Sequence, residues 1–245
     1  MKQDALEKVR KCDKCQRHAP IINAPISELQ SVIEPTPFAK WGLDILGPFP
    51  QATGGRKFLI VATDYFTKWV EAEPLATITS KKIEEMVWKN IICRFGLPRV
   101  LVADHGKQFD CDAFRDFCAR MNIRLSLASV SYPQANGQAE SSNKTILNGL
   151  KTRIERAKGA WVDELPSVLW AYRTTSRVST GETPFSLAFG TEALIPVEVG
   201  LNSPRMVEFN EQTEHTNAEA LRENLDFIEE ERERACIRLE AYHGG

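Results

Sequence analysis

The 245-residue sequence has no apolar run long enough to cross a membrane, and its first residues lack the apolar core of a signal peptide. It also has no internal repeat and no low-complexity block. Its six cysteines are scattered along the chain. We therefore expect an intracellular protein with reduced thiols and no membrane partner.

Histidine is scarce, with four residues in the chain, and this scarcity limits the zinc chemistry available. Cys12 and Cys15 form a Cys-x-x-Cys pair, which is half of a tetrahedral zinc site. His18 alone cannot complete the site, and nothing upstream supplies the missing ligands. We interpret residues 1–35 as the remaining end of a truncated module with its linker, and we expect no zinc there.

The formal net charge of −2 is unevenly distributed. Residues 201–245 contain five Arg, no Lys and eleven Asp or Glu, a local balance of −6, which leaves +4 for the first 200 residues. A mildly basic body with an acidic extension fits a domain that binds a polyanion, although many soluble enzymes share this distribution.

Strand and helix signals alternate between residues 36 and 128. The predicted order is three strands, a helix, a strand, a helix and a strand, and it indicates an α/β domain around a mixed five-stranded sheet. The predicted strands are Trp41–Gly47, Lys57–Asp64, Lys68–Glu73, Arg99–Ala103 and Ile123–Ala128, and the predicted helices are Ser80–Phe95 and Phe109–Met121.

Helical patterns dominate the rest of the chain. Trp161–Tyr172 is predicted to be a helix, and residues 191–212 read as a linker. A further helix is predicted from about Thr213, with an apolar stripe interrupted by Arg232. This stripe fits either a short coiled-coil or docking helix, or a helix that lies on the core.

Three acidic residues stand in settings that suit metal binding: Asp44 in a strand, Asp104 after a buried strand, and Glu140 at the start of a helix, with 35 residues between Asp104 and Glu140. Carboxylates from separate elements are the oxygen ligands that Mg²⁺ prefers, and two such ions can assist an in-line phosphoryl displacement. The pattern predicts a polynucleotidyl transferase. Asp64 and Asp110 compete for these roles, but we interpret Asp64 as a turn or support residue and Asp110 as a first-turn acid of the next helix.

Several segments together carry a family resemblance. From Phe38 to about Val199 the chain resembles the integrase core of gypsy-type long-terminal-repeat retrotransposons and of retroviruses. The segments are Trp-Gly-Leu-Asp44, Asp64-Tyr-Phe-Thr-Lys-Trp69, Phe95-Gly-Leu-Pro-Arg99, Asp104-His-Gly-Lys-Gln-Phe109, Tyr132-Pro-Gln-Ala-Asn-Gly-Gln-Ala-Glu140, Trp170-Ala-Tyr-Arg-Thr174, Thr183-Pro-Phe185 and Phe189-Gly190. The resemblance implies a ribonuclease-H-like fold in which Asp44, Asp104 and Glu140 bind two Mg²⁺ or Mn²⁺ ions.

The resemblance also implies a function and a domain organisation. The activity would be DNA 3′-end processing and strand transfer on double-stranded DNA, by a homo-oligomer acting in the nucleus. Residues 36–190 would form the catalytic core, after the zinc-module remnant at 1–35 and before a linker and acidic helix at 191–245. We assign DNA contacts to Lys144, Lys151, Asn143, His105 and Gln138.

Departures from the family pattern leave alternatives open. Ala103 precedes the second Asp where Ser or Thr is usual, and His105 follows it where Asn or Arg is frequent. The family's histidine half-module and its C-terminal DNA- or chromatin-binding domain are not present, so we expect inefficient two-ended integration. The alternatives are a ribonuclease-H-like nuclease, for which we find no fourth carboxylate, and an inactive or co-opted DNA-binding relic.

Overall fold

The computed structural model describes residues 36–127, 161–194 and 227–241, all of which belong to one compact unit, Ile33–Gly245. Within these ranges, no helix is both long and apolar enough to span a bilayer. The predicted site residues that lie outside them are Cys12, Cys15, Gln138, Glu140, Asn143, Lys144 and Lys151. The proposed division into domains at residues 36 and 190 stays a prediction.

The centre of the fold is a five-stranded sheet. Its strands are β1 (Lys40–Leu46), β2 (Phe58–Asp64), β3 (Val70–Leu75), β4 (Val100–Ala103) and β5 (Arg124–Leu127). Their spatial order is β3-β2-β1-β4-β5, with antiparallel pairing among the first three and parallel pairing of β1 with β4 and of β4 with β5. The predicted mixed five-stranded sheet is therefore confirmed.

Along the sequence, the α-helices in the described ranges lie between β3 and β4, between β4 and β5, and after β5. They are α1, a continuous helical stretch made of Ser80–Met86, a π-helical segment Val87–Ile92 and a last turn Cys93–Phe95, then α2 (Asp112–Arg120), α3 (Trp161–Arg173), α4 (Pro184–Phe189) and α5 (residues 227–241). The predicted helices Ser80–Phe95 and Trp161–Tyr172 are confirmed, whereas the helix predicted at Phe109–Met121 is shorter than expected.

Both faces of the sheet are covered by apolar side chains, because side chains alternate between faces along each strand. One face carries Trp41 and Leu43 of β1 and packs against α1 and α2, with Ile83 and Phe114 fully buried. On the other face, Leu59 packs with the buried residues of α3. Fixed layers on both sides give the strand ends a rigid support.

Helix α1 begins and ends where the sequence signals predict. The Thr79 side chain accepts a hydrogen bond from the Lys82 N–H (3.3 Å), which caps the first turn, and Gly96 ends the helix with a φ of 90° that favours glycine. The π-helical segment in its middle is not predicted by the four-residue spacing of apolar residues.

The described part of helix α5 buries apolar side chains against the rest of the protein, and its role as a docking helix or a core helix stays a prediction. Ile228, Ala235 and Leu239 are buried. Arg232, the polar residue within the stripe, donates hydrogen bonds to the carbonyls of Leu187 (3.0 and 3.1 Å) and Ala188 (3.3 Å). Its guanidinium thus serves carbonyls in the last turn of α4, where helices have unpaired acceptors.

Strand β3 forms one edge of the sheet. The Val70 carbonyl accepts hydrogen bonds from Arg173 Nε (3.0 Å) and Nη2 (2.7 Å), and Pro74 further along the strand has no N–H. Arg173 also forms an ion pair with the buried Glu71 (3.0 Å), whose carboxylate is shared with Arg94 (2.7 Å). These contacts connect the edge strand to α3 and to the end of α1.

The turn between β2 and β3 is organised by a fully buried carboxylate. Asp64 accepts hydrogen bonds from the Phe38 N–H (3.1 Å), the Thr67 N–H (2.8 Å) and the Thr67 hydroxyl (2.7 Å). Burial raises the pKa of Asp64 to about 6, and the hydrogen bonds from Thr67 and Phe38 and the charge of Lys68 oppose that rise. The interpretation of Asp64 as a turn and support residue is therefore confirmed.

Thr67→Val should lower the free energy of unfolding, because it removes a hydrogen bond to a buried charge while conserving the side-chain shape. The expected loss is about 1.5–3 kcal/mol at about pH 8, where Asp64 is ionised. The raised pKa means that the folded state holds this proton more tightly than the unfolded state, so the contribution of Asp64 to stability falls as pH rises from about 4 to about 6. The effect of Thr67→Val should therefore be smaller at about pH 5.

Denaturant unfolding of both proteins at each pH measures this difference. Thr77→Val, at an exposed threonine, is the matched control and should change stability little at either pH. Equal losses for Thr67→Val at both pH values would show that the hydroxyl does not stabilise the charged form of Asp64.

Candidate active site

Asp44 lies near the end of β1 and is partly exposed. Leu43 and Ile45 on either side of it belong to the core beneath α1, so strand alternation directs Asp44 to the opposite face, where its cross-strand partner Val61 packs. Asp44 Oδ1 accepts a hydrogen bond from the Ile45 N–H (2.7 Å). The first predicted carboxylate is thus on the face covered by α3.

Asp104 follows β4 directly and is exposed. Leu101 and Ala103 point into the α1-side core, whereas Val100 and Val102 pack with Tyr65 on the other face. Alternation carried one residue further places Asp104 on the same face as Asp44.

The register of the parallel pair supports the predicted proximity of these two carboxylates. Gly42 is paired with Val102, and two further residues along each strand lead to Asp44 and Asp104. Neighbouring strands are about 4.8 Å apart, so side chains at matching positions on one face are adjacent. We therefore expect Asp44 and Asp104 to be neighbours on this face, and their role as metal ligands stays a prediction.

The backbone that follows Asp104 forms a tight loop around Gly106. Asp104 Oδ1 accepts a hydrogen bond from the Gly106 N–H (2.9 Å), and the Gly106 carbonyl accepts from the N–H groups of Phe109 (2.9 Å) and Asp110 (2.8 Å). A Cβ added at Gly106 would lie 2.2 Å from Gln108 Nε2 and 2.9 Å from Asp104 Oδ1. A side chain at this position would require the Gln108 side chain and the Asp104 carboxylate to shift.

His105 points away from the core and has a defined partner. Its Nδ1 lies 3.2 Å from Asp110 Oδ2, and Asp110 Oδ1 accepts hydrogen bonds from Nε (3.2 Å) and Nη2 of Arg115. Arg115 first, and His105 second, lower the pKa of Asp110. The interpretation of Asp110 as a first-turn acid is wrong, because α2 begins at Asp112 and the Asp110 carboxylate engages side chains instead.

Asp64 is separated from this site along the strands. It is paired with Trp41 at the start of β1, whereas Asp44 lies towards the end of that strand. Its carboxylate is fully buried and serves the β2–β3 turn. The structure thus gives no metal-binding role to Asp64.

The donor atoms of the site fit a divalent cation such as Mg²⁺. Asp44 and Asp104 offer carboxylate oxygens that reach solvent from one face, which is the chemistry that hard cations prefer. Residues 36–127, 161–194 and 227–241 contain no group of three or more His, Cys, Asp or Glu side chains that could hold a metal. The assignment of Asp44, Asp104 and Glu140 as metal ligands stays a prediction.

Comparisons with known proteins agree with this fold. Residues 34–133, which include Asp44 and Asp104, match the family model described as "Integrase core domain". The chain is 33% identical over 171 residues to a Gag-Pol polyprotein of avian reticuloendotheliosis virus, across 69% of the chain and 14% of the polyprotein. It is 31% identical over 195 residues to a Pol polyprotein of radiation murine leukemia virus, across 79% of the chain and 32% of that polyprotein.

A retrotransposon relative and two solved structures extend the comparison. The transposon Tf2-3 polyprotein of Schizosaccharomyces pombe is 27% identical over 84% of the chain and 16% of its own length. The simian T-cell lymphotropic virus intasome in complex with PP2A regulatory subunit B56 gamma has a chain with a TM-score of 0.59 at 20% identity, covering 80% of this chain and 69% of that one. A second solved structure is the HTLV-2 integrase catalytic core domain in complex with magnesium, in a trimeric form. It has a TM-score of 0.50 at 21% identity, and the match covers 61% of this chain and 95% of that one.

The chain belongs to the integrase family of retroviruses and retrotransposons, a family of polynucleotidyl transferases, and its mixed sheet has the ribonuclease-H-like fold. It spans between 14% and 32% of the length of the three polyproteins compared.

Divalent cations should stabilise the folded protein through Asp44 and Asp104. A ligand that binds only the native state raises the free energy of unfolding by about 2.7 kcal/mol at a hundred times its dissociation constant. We expect the thermal midpoint to rise with added Mn²⁺ in the wild type, and this rise to shrink strongly in Asp44→Asn and Asp104→Asn.

Thermal unfolding with and without Mn²⁺ checks this expectation without measuring catalysis. Asp116→Asn, at an exposed position of α2, makes the same charge change away from the site and should keep the full rise. If the three variants responded to Mn²⁺ equally, the assignment of Asp44 and Asp104 as ligands would be wrong.

Proposed function

We propose that this chain is the catalytic core of a DNA integrase that processes the 3′ ends of element DNA and joins them to host DNA. The observation that supports the proposal is the parallel pairing of β1, which contains Asp44, with β4, which Asp104 follows. Open α/β sheets commonly bind ligands just beyond the carboxyl ends of their strands. Because the chain belongs to the integrase family, we interpret these two carboxylates as part of a metal site for phosphoryl transfer.

Asp44, Asp104 and Glu140 would hold two Mg²⁺ or Mn²⁺ ions. When bound, such ions stabilise negative charge on the attacking and leaving oxygens of a phosphodiester. In the proposed reaction, the oxygen of water or of a DNA 3′-hydroxyl bonds to phosphorus while the bond to the departing 3′ oxygen breaks. No bond forms between protein and DNA.

The contribution of the chain is mainly positioning, which accounts for much of the catalysis of phosphoryl transfer. The Gly106 N–H holds one oxygen of Asp104, so that carboxylate has a fixed orientation. Strand β1, hydrogen-bonded on both sides, holds Asp44. A rigid pair of ligands needs little reorganisation when the substrate binds.

The proposed substrate is double-stranded DNA, with Lys144, Lys151, Asn143, Gln138 and His105 as contacts. Phosphate contacts carry no sequence information, which suits joining at many target sites. We also propose that the protein works as a homo-oligomer in the nucleus. A homo-oligomer can hold two DNA ends and a target at the same time.

Asp104→Asn should abolish metal-dependent DNA cutting and joining while conserving the fold, because it removes one charged ligand and almost no volume. We expect a rate loss of at least about 100-fold. A strand-transfer assay on labelled long-terminal-repeat ends with Mn²⁺ measures it, with circular dichroism as a check of folding.

Asp116→Asn is the matched control for that assay and should keep the wild-type rate. Retained joining in Asp104→Asn would contradict the site. If the wild type cut DNA with Mn²⁺ but never joined it, the chain would be a nuclease of this fold, and no reaction at all would favour a DNA-binding relic.

Lys144→Ala and Lys151→Ala should weaken DNA binding about equally for all sequences and reduce its salt dependence. Each lost phosphate contact should lower the slope of log K against log salt by about 0.9. Titration of labelled duplexes of different sequence over a range of salt concentrations measures both quantities. A loss confined to one sequence would indicate base recognition instead.

A further inference from the structure

Three hydrogen-bonded side chains form a series that begins with His105, one residue after Asp104, and ends with Arg115 on helix α2. The His105 Nδ1 atom lies 3.2 Å from Oδ2 of Asp110, and the other oxygen, Oδ1, accepts two hydrogen bonds from Arg115. A carboxylate accepts hydrogen bonds and does not donate them, so the imidazole carries a hydrogen on Nδ1. This series of contacts therefore fixes both the tautomer and the orientation of the His105 ring.

Stability does not explain this arrangement. The side chains of His105, Asp110 and Arg115 are 52%, 32% and 54% exposed, and solvent-exposed ion pairs contribute little to the free energy of unfolding. Both carboxylate oxygens are used, and Arg115 donates through two nitrogens, which gives the contact a defined direction. This geometry restrains the orientation of the His105 side chain and contributes little to the stability of the fold.

The backbone beneath Asp110 is itself fixed. The Asp110 N–H and the Phe109 N–H both donate to the Gly106 carbonyl, and the ring of Phe109 is fully buried against Phe114 of α2. The orientation of the imidazole is thus set by the core. Within the described residues, Nε2 of His105 has no hydrogen-bond partner and is the ring nitrogen that can meet a ligand.

We propose that Asp110 and Arg115 are positioning residues that orient His105 for a hydrogen-bonding contact with the DNA strand that reacts at Asp104. This inference rests on the proposed function, since DNA is the substrate that places a strand beside Asp104. His105 makes the contact, and Asp110 and Arg115 act only through it.

Four proteins test this: the wild type, His105→Ala, Asp110→Ala and the double variant, each as the full chain. Fluorescence anisotropy of a labelled DNA duplex with Mg²⁺ gives the dissociation constant. We expect each single variant to weaken binding by about tenfold, which is about 1.4 kcal/mol. The double variant should bind as His105→Ala does, because Asp110 has nothing left to orient.

Conservative variants separate orientation from charge. Asp110→Asn keeps an acceptor for Nδ1 and should recover part of the affinity that Asp110→Ala loses, and Arg115→Lys should lose part of it, because Lys cannot reproduce the two-nitrogen contact. The matched controls Asp116→Ala and Arg120→Ala, on the same helix, should bind DNA as the wild type does. Thermal midpoints of all variants should stay close to that of the wild type.

Additive losses in the double variant would overturn the proposal, and so would wild-type affinity in His105→Ala. Loss of affinity that follows a fall in thermal midpoint would assign Asp110 a structural role and would also overturn it. Metal-dependent cutting of the same duplex is scored separately. Non-additive binding without any cutting would support the positioning role and contradict the proposed activity.

Discussion

The parallel pairing of β1 with β4 is the constraint on which the candidate site depends. These strands are far apart in sequence, and each is held by a second neighbour, β2 or β5. A slip of one residue between the strands would exchange the faces of their side chains and separate Asp44 from Asp104. The buried apolar residues on both faces oppose such a slip, so the packing of the core also maintains the geometry of the carboxylates.

Two aspartates of similar sequence setting have opposite roles because of their surroundings. Asp64 ends β2 and is enclosed by the turn that follows, where burial raises its pKa and three hydrogen bonds hold it. Asp104 follows β4 and stays exposed, with one oxygen held by the Gly106 N–H. The buried residue organises a turn, whereas the exposed one can meet a cation. Solvent access, more than residue type, distinguishes structural from functional carboxylates here.

Much of this architecture could be predicted from local patterns. Short apolar strands bounded by Gly and Pro, and the apolar spacing of Ile83, Val87 and Ile91, identify all five strands and α1. The two carbonyl contacts of Arg232 could not be predicted, since they depend on partners distant in the chain. The π-helical segment could not be predicted from the four-residue apolar spacing, which is typical of an ordinary α-helix. The role of Asp110 was missed because helix boundaries are uncertain by one or two residues, and that difference moved it out of α2.

The candidate site, like the fold, could be predicted only in part from the sequence. The sequence places Asp44 in a strand and Asp104 just after one, and the structure shows that these two strands are paired. Which oxygen of Asp104 is held, and that Gln108 closes over Gly106, depends on the three-dimensional course of one loop. Patterns of residue type identify the ligands, whereas the contacts that orient them appear only in the folded chain.

The outer edge of β3 has a consequence for how copies of this protein can meet. An exposed strand edge is a template for pairing with another chain, and it can start domain swapping or fibril growth. Here two donors of Arg173 already occupy the Val70 carbonyl, and Pro74 interrupts the row of N–H groups. The sheet is therefore a poor template for extension through β3, and association on this side has to use side-chain surfaces instead of a continuous intermolecular sheet.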